Sequence, residues 1–120
     1  MATLTPKLTL TSSDTSTDSL LLSVDDSLTV TTPMVDIGRT SVSHSSATTI
    51  LSASNSTTTY IYAKNIDTTN HVKIYTGADE LYGILWPGEF LFVPIIDGEG
   101  FKLQANNAAC IVEYGYWTKG

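Results

Sequence analysis

The chain has 120 residues and a formal net charge of −6, from 12 acidic and 6 basic side chains. With 42% hydrophobic and only 15% charged residues, the composition excludes an acidic disordered tail and a charged helical bundle, and it fits one folded domain. The six basic residues form no cluster, so the basic footprint that displaces counterions from nucleic acid is missing.

Hydropathy and cysteine content bear on whether the chain spans a membrane, is secreted or forms disulfides. The longest apolar run, Leu20 to Leu22, is too short to cross a bilayer, and we expect neither a membrane span nor a secretion signal. Cys110 is the single cysteine, so no disulfide can form within the chain. This is compatible with assembly in a reducing cytoplasm.

Serine and threonine dominate the composition, and their distribution is uneven. Together they number 32, whereas lysine, arginine and glutamate number ten, which favours an all-β fold. All thirteen serines lie in residues 1–59, and all eleven aromatic residues lie in residues 60–120. Because a core needs large side chains, the second half must supply it. The first half has to pack onto that core, onto another subunit or onto a partner protein.

The amino-terminal segment predicts an arm of alternating strands. Residues 4–12 alternate apolar and polar side chains, which is typical of an edge strand, and residues 12–18 form a polar loop. A β-hairpin is predicted next, in which residues 20–24 face residues 28–30 across a turn at Asp25-Asp26.

An isolated two-stranded hairpin is only marginally stable in water, so this arm should lean on something else. Thr31-Thr32-Pro33 breaks the alternation and is the predicted linker. We therefore expect an arm in residues 1–33, followed by an antiparallel β-sandwich domain in residues 34–120. The apolar strand faces of the arm are the candidate assembly interface, with side chains Leu8, Leu10, Leu20, Leu22, Val24, Leu28 and Val30.

The aromatic half predicts six short strands separated by turn signals, at residues 60–66, 71–76, 81–86, 90–95, 101–105 and 110–117. Asp67–Asn70 is a turn after which the second of these strands returns along the first. Trp86–Glu89 has proline and glycine at the central positions of a type II turn. Residues 90–95 are apolar on both faces, which predicts a central strand covered on both sides. Asp97-Gly98 is a hairpin signal after it.

Residues that could carry chemistry are few. His44 and His71 could each complete a nucleophile–base arrangement, but no nucleophile elbow accompanies them. The carboxylate pairs Asp25-Asp26 and Asp79-Glu80 lack the spacing of a calcium loop or a zinc site. Cys110 has no basic neighbour in sequence, so a buried small side chain is expected. We predict no catalytic, cofactor or metal site.

Exposed aromatic side chains are the alternative kind of site. Tyr82, Trp86 and Trp117 could form a stacking surface for a sugar, although aromatic residues at strand ends are equally at home in a core or a subunit contact. Glu89 and Glu113 are either exposed or paired with Lys73 or Lys102, and the sequence leaves this open.

The second half resembles small virion proteins of tailed bacteriophages. The resemblance lies in Tyr60–Asn65, the turn at Asp67–Asn70, Pro87–Phe90, and Gln104–Asn106 leading into Cys110–Tyr114, and it covers residues 57–117. It implies a jelly-roll-like β-sandwich used structurally, as a head decoration (cement) protein or as a tail, fibre or baseplate accessory. Such proteins are often trimers.

The functional expectation is a non-enzymatic virion structural protein, assembled in the host cytoplasm without nucleic acid, membrane or cofactor. Its partners would be the major capsid protein or tail proteins, and further copies of itself, with a trimer favoured. The alternative is a receptor- or glycan-binding module of the tail.

Overall fold

In a computed structural model, residues 2–14, 19–32, 37–51, 58–96 and 100–120 are described. These ranges contain strands and no helix, which confirms the all-β prediction. Their strands are β1 (Ala2–Leu4), β2 (Lys7–Ser12), β3 (Leu20–Asp25), β4 (Leu28–Thr32), β5 (Gly38–Val42), β6 (Thr48–Leu51), β7 (Thr58–Asn65), β8 (Val72–Thr76), β9 (Leu81–Leu85), β10 (Phe90–Ile96), β11 (Phe101–Ala105) and β12 (Cys110–Lys119). The last six correspond to the six strands predicted in the aromatic half.

The strands form three antiparallel sheets. The largest has the order β1-β4-β12-β7-β10, with β5 also paired to β12. A four-stranded sheet has the order β6-β11-β8-β9, and β2 pairs with β3 in a sheet of their own. All of these pairings are antiparallel.

One hydrophobic core is shared by the two larger sheets. β11 buries every second residue, and β8 buries Val72 and Ile74, as expected of strands with one face on a core. Cys110 is among the buried residues, as predicted. The buried members of the core are Val42, Ile61, Ala63, Val72, Ile74, Leu85, Phe101, Leu103, Ala105, Cys110 and Val112.

The first four strands are the two arms of one long hairpin. Leu4 lies opposite Leu28, and three residues further along each arm Lys7 lies opposite Asp25, so the register continues unbroken. The amide of Asp26 donates a hydrogen bond of 3.2 Å across the hairpin between these two ladders. The predicted turn at Asp25-Asp26 is therefore wrong, and β3 pairs with β2 instead of β4. Adjacent aspartates carry a turn signal, but the apolar alternation on either side of them belongs to one continuous arm.

Only the outer half of this hairpin is separate from the larger sheets. β4 pairs with both β1 and β12, so it belongs to the six-stranded sheet. β2 and β3 form the element called the ribbon below. The radius of gyration is 15.5 Å, compared with about 13.6 Å for a compact chain of this length. The larger value agrees with a ribbon that projects from the two larger sheets. The predicted arm–body boundary at residues 33–34 lies outside the described residues.

Successive strands of the second half change sheets instead of forming hairpins. β7 pairs with β10 and β12, whereas β8 pairs with β9 and β11, so the predicted return of residues 71–76 along residues 60–66 is wrong. The predicted turn at Asp67–Asn70 exists, and it carries the chain from one sheet to the other. There the Asp67 carboxylate accepts hydrogen bonds from the amides of Asn70 and Thr69 at 2.6 and 2.9 Å, and these bonds lower the pKa of Asp67.

β10 and β11 also lie in different sheets, so they do not form the hairpin signalled by Asp97-Gly98, a pair outside the described residues. β10 is an edge strand of the six-stranded sheet, and Phe90 and Phe92 are 60% and 38% exposed. The prediction of a central strand covered on both faces is therefore wrong. Pro94, which has no amide hydrogen to donate, is suited to this edge position.

The turn at Trp86–Glu89 has the predicted geometry. Glu89 N donates to Trp86 O at 2.9 Å, and Gly88 has a φ of +86°. No atom lies within 4 Å of the place that a Cβ of Gly88 would occupy, so the glycine is needed for its backbone conformation alone.

Gly88→Ala is expected to lower the free energy of unfolding by about 1–2 kcal/mol, because an L-residue is strained at positive φ. Chemical denaturation measures the loss. Gly88→Asn is the matched control and should cost less, since asparagine tolerates this conformation better. Equal losses for the two variants would contradict the conformational explanation.

Candidate assembly surface

The ribbon presents one aliphatic face to solvent. Its cross-strand partners Leu8 and Val24, and Leu10 and Leu22, share a side of the ribbon, and Leu20 lies on the same side opposite Ser12. These five side chains, called the ribbon face below, are all 40–49% exposed. Five of the seven residues predicted for assembly therefore lie together on one accessible face: Leu8, Leu10, Leu20, Leu22 and Val24.

The opposite side of the ribbon is mainly polar. Lys7 faces Asp25, Thr9 faces Ser23, and Thr11 faces Leu21, which is 79% exposed. The ribbon is therefore amphipathic, with polar groups on one side and aliphatic groups on the other.

Leu28 and Val30, the other two predicted assembly residues, lie on β4 instead of the ribbon. Leu28 is half-buried, and Val30 is only 1% exposed. Val30 is therefore packed within the chain itself and presents no surface to a partner, which corrects its place in the predicted interface.

An apolar groove lies where the ribbon meets the six-stranded sheet. It has a volume of about 780 Å³, and the residues that line it are Leu4, Pro6, Lys7, Leu8, Val24, Asp25, Asp26, Tyr62, Phe90, Leu91, Phe92 and Trp117. The ribbon contributes only its base, since Leu10, Leu20 and Leu22 are not among the lining residues. The ribbon face is thus adjacent to this groove, which is called the aromatic groove below.

The aromatic wall of this groove is built by side chains on neighbouring strands. Phe92 lies opposite Tyr62, and it stacks on Tyr60 with ring centroids 6.2 Å apart and planes 7° from parallel. The indole of Trp117 covers Gly115 so closely that a Cβ there would lie 2.9 Å from the ring. Ile37 Cδ1 lies equally close, so only glycine fits here without a shift of these two side chains.

A charged pair lies beside Tyr62, one of the residues that line the groove. The Tyr62 hydroxyl donates to Glu113 Oε1 at 2.8 Å, and Arg39 Nη2 donates to Glu113 Oε2 at 3.3 Å. The hydrogen bond from Tyr62, supported by Arg39, lowers the pKa of Glu113. Burial, together with the neighbouring Glu113, raises the pKa of Tyr62 to about 12, so the phenol keeps the proton that it donates. Neither Lys73 nor Lys102 is the partner of Glu113, which answers a question that the sequence left open.

Glu113→Gln is expected to reduce the acid sensitivity of the fold. The carboxyl has a lower pKa when folded, so it stabilises the fold above its ordinary pKa of 4.5, and this stabilisation is lost as the pH falls through the lowered value. Urea denaturation at pH 7 should show the native chain as more stable than the variant. The difference should disappear in acid. A difference that stayed the same in acid would contradict the role of the Glu113 carboxylate.

The predicted sugar-binding aromatics are not brought together. Trp117 lines the groove on the six-stranded sheet, whereas Tyr82 and Trp86 lie on and just after β9, at the edge of the other sheet. Trp86 is tilted against His71 at a centroid distance of 4.6 Å, and about half of it is exposed. Burial raises the pKa of Tyr82.

The remaining candidates for chemistry are dispersed. The backbone carbonyl of His44 accepts a hydrogen bond from Gln104, and the Asp79 carboxylate pairs with Lys102 at 3.0 Å. Within the described ranges, no group of three or more His, Cys, Asp or Glu side chains could hold a metal ion. The same ranges contain no helix of the length and hydrophobicity needed to span a membrane.

Comparisons of the chain with protein-family models, with curated proteins and with solved structures found no match.

The groove residues that sequence reasoning missed include Phe90, Phe92, Tyr62 and Leu4. The signal for the two phenylalanines was present, because they alternate on one face of their strand. That face was interpreted as covered because its neighbours could not be known from the sequence. Tyr62 and Leu4 carry no local signal, since only the sheet order places them beside the ribbon.

Proposed function

We propose that this chain is a non-enzymatic structural protein of a tailed-bacteriophage virion, a head decoration protein that binds the assembled capsid. In this proposal the two larger sheets make up a jelly-roll-like β-sandwich body, and the ribbon is the element that attaches to neighbouring virion proteins. A tail, fibre or baseplate position is the alternative location. Assembly would take place in the host cytoplasm.

The exposed ribbon face is the observation that carries this proposal. A two-stranded ribbon is marginally stable in water unless an apolar face is covered, and this one leaves five aliphatic side chains 40–49% exposed. Exposed apolar patches of this kind mark interaction sites. A protein that binds a particle lattice needs such a projecting contact element and has no need of an enclosed pocket.

The unbroken register of the hairpin permits a clean test. Because the Asp26 amide donates to the Pro6 carbonyl at 3.2 Å, residues 7–25 can be replaced by Asn-Gly, which closes the hairpin at this hydrogen-bonded pair through a two-residue turn. The variant without the ribbon keeps β4 and the buried Val30, so it should fold. It should fail to co-sediment with phage particles assembled without this protein.

Leu21→Glu is the matched control for this test, because it alters the polar side of the ribbon and should bind particles like the native chain. Undiminished particle binding by the folded variant without the ribbon would remove the ribbon from the mechanism. Its circular dichroism and unfolding midpoint establish that it is folded.

Glycan binding is the second candidate function, and the half-exposed Trp86 and Tyr82 favour it. An indole with one open face can stack on a sugar ring. Glycan-array binding that disappears in Trp86→Ala would support this role. An array without signal would favour the structural role.

A further inference from the structure

We propose that the occupant of the aromatic groove is the ribbon of a second copy of this chain. This inference rests on the proposed assembly role of the ribbon and names the first partner of that element. In the assembly, the ribbon face of one copy packs against Phe90, Phe92, Tyr62 and Trp117 of its neighbour.

The chain carries both halves of such a contact. The ribbon supplies a projecting row of aliphatic side chains, and the groove beside its base supplies a concave aromatic surface. The ribbon cannot fill its own groove beyond its base, because its lining residues end at Leu8 and Val24. A second copy brings a matching element to each surface, so that one kind of contact covers both.

The groove has room for the proposed occupant. Its volume is about 780 Å³. A cavity of about 150 Å³ already accepts a benzene molecule, so the groove can hold several aliphatic side chains. The outer ribbon residues Leu10, Leu20 and Leu22 are the ones left to enter it.

The exposed area distinguishes this arrangement from its simplest rival, in which two ribbon faces pack on each other. Five side chains at this exposure leave on the order of 350 Å² of apolar surface open. Two ribbon faces alone would thus bury about 700 Å², which is typical of a crystal-packing contact. Adding Phe90 and Phe92 contributes roughly 200 Å² per copy. Reciprocal ribbon-in-groove contacts then approach the roughly 1,200 Å² at which stable interfaces begin.

The first measurement is the mass of the full chain in solution by light scattering across micromolar to millimolar concentrations. We expect a multiple of 12.9 kDa. Leu22→Glu places a charge on the ribbon face, and Phe90→Glu places one on the groove wall. The Phe90 side chain is already 60% exposed, so the fold tolerates a charge there. Each should weaken self-association at least tenfold. Leu21→Glu, on the other side of the ribbon, should not.

Mixing the two defective variants is the decisive step. The Leu22→Glu copy retains an intact groove and the Phe90→Glu copy retains an intact ribbon, so the mixture contains one native ribbon-in-groove pairing that neither variant has alone. We expect mixed oligomers in native mass spectrometry. If the ribbons packed on each other, Phe90→Glu would have no effect and the mixture would show no rescue, which would overturn the proposal.

Cysteine cross-linking provides a second readout. Cys110 is buried and the only native cysteine, so introduced thiols report without interference. A Leu22→Cys copy mixed with a Phe90→Cys copy should form a disulfide-linked heterodimer on mild oxidation, whereas Leu21→Cys should not.

If the native chain stayed monomeric at millimolar concentration, the proposal that the ribbon of one copy occupies the aromatic groove of another would be overturned. The proposed function would survive that result if the variant without the ribbon still lost particle binding. The opposite result is also possible. If mixing restored the oligomers but the variant without the ribbon still bound particles, the ribbon-in-groove contact would stand and the attachment role of the ribbon would be rejected.

Discussion

Phe101→Ala is expected to lower the free energy of unfolding by about 3–5 kcal/mol, the range for a buried phenylalanine that leaves a cavity. Phe101 is the largest fully buried side chain among the described residues. It lies on β11 between β6 and β8, with Leu51 and Thr76 as its cross-strand partners. Neighbours fixed in two ladders can relax little into the space that the ring vacates. Since domains of this size are stable by about 5–15 kcal/mol, the loss is a large share of the total.

Urea denaturation followed by tryptophan fluorescence measures this loss, and Phe90→Ala is the matched control. Phe90 is the same residue type but is 60% exposed at the edge strand β10, so its truncation should cost less than about 1 kcal/mol in the isolated chain. Losses of the same size for the two variants would show that the core is not centred on β11.

The strands of the second half could be predicted because their signal is local. Alternation of side chains and turn residues is read within a window of a few residues, and β7 to β12 all occur where this pattern placed them. The ribbon face was predictable for the same reason. Its residues alternate along two neighbouring segments, and the identification of Leu8, Leu10, Leu20, Leu22 and Val24 needs only the period of two.

Strand partners could not be predicted, because alternation defines which face a residue occupies and says nothing about which strand lies beside it. Residues 60–66 and 71–76 are joined by a short turn and still belong to different sheets. The position of β10 in its sheet could not be predicted for the same reason. The apolar faces of β10 indicated a central strand, whereas its Pro94 was a signal for the edge position that β10 occupies.

The aromatic groove depends on the same missing information. Arg39 and Glu113 pair across 74 positions of sequence, and Leu4 reaches the groove only because β1 and β4 join the sheet through β12. A site assembled from the first, middle and last strands has no sequence signature of its own. Its residues become a site through sheet order alone.

Asn65 is a second point on which the fold depends, and it links the two larger sheets. It is fully buried at the end of β7. Its Nδ2 donates to the backbone carbonyls of Asn70 and Leu85, each at 3.0 Å, and its Oδ1 accepts the amide of Asp67 at 3.0 Å. One side chain therefore satisfies the turn after β7 and the end of β9 together, which fixes where the chain changes sheets.

Asn65→Ala is expected to cost about 2–4 kcal/mol of unfolding free energy, because the buried hydrogen bond to the Leu85 carbonyl and two part-buried ones are lost, and an unpaired buried group costs about 1–3 kcal/mol. Asn65→Asp tests the donated hydrogen bonds alone. It keeps the shape of the side chain and the acceptor Oδ1, but it replaces the donor Nδ2 by an oxygen that faces two carbonyl oxygens. Its penalty should shrink as the pH falls, because a protonated carboxyl can donate one of the lost hydrogen bonds. The exposed Asn107, changed to alanine, should leave the free energy of unfolding within about 0.5 kcal/mol of the native value. If Asn65→Ala were as mild as that control, the two sheets would have to be held in place by the apolar core alone.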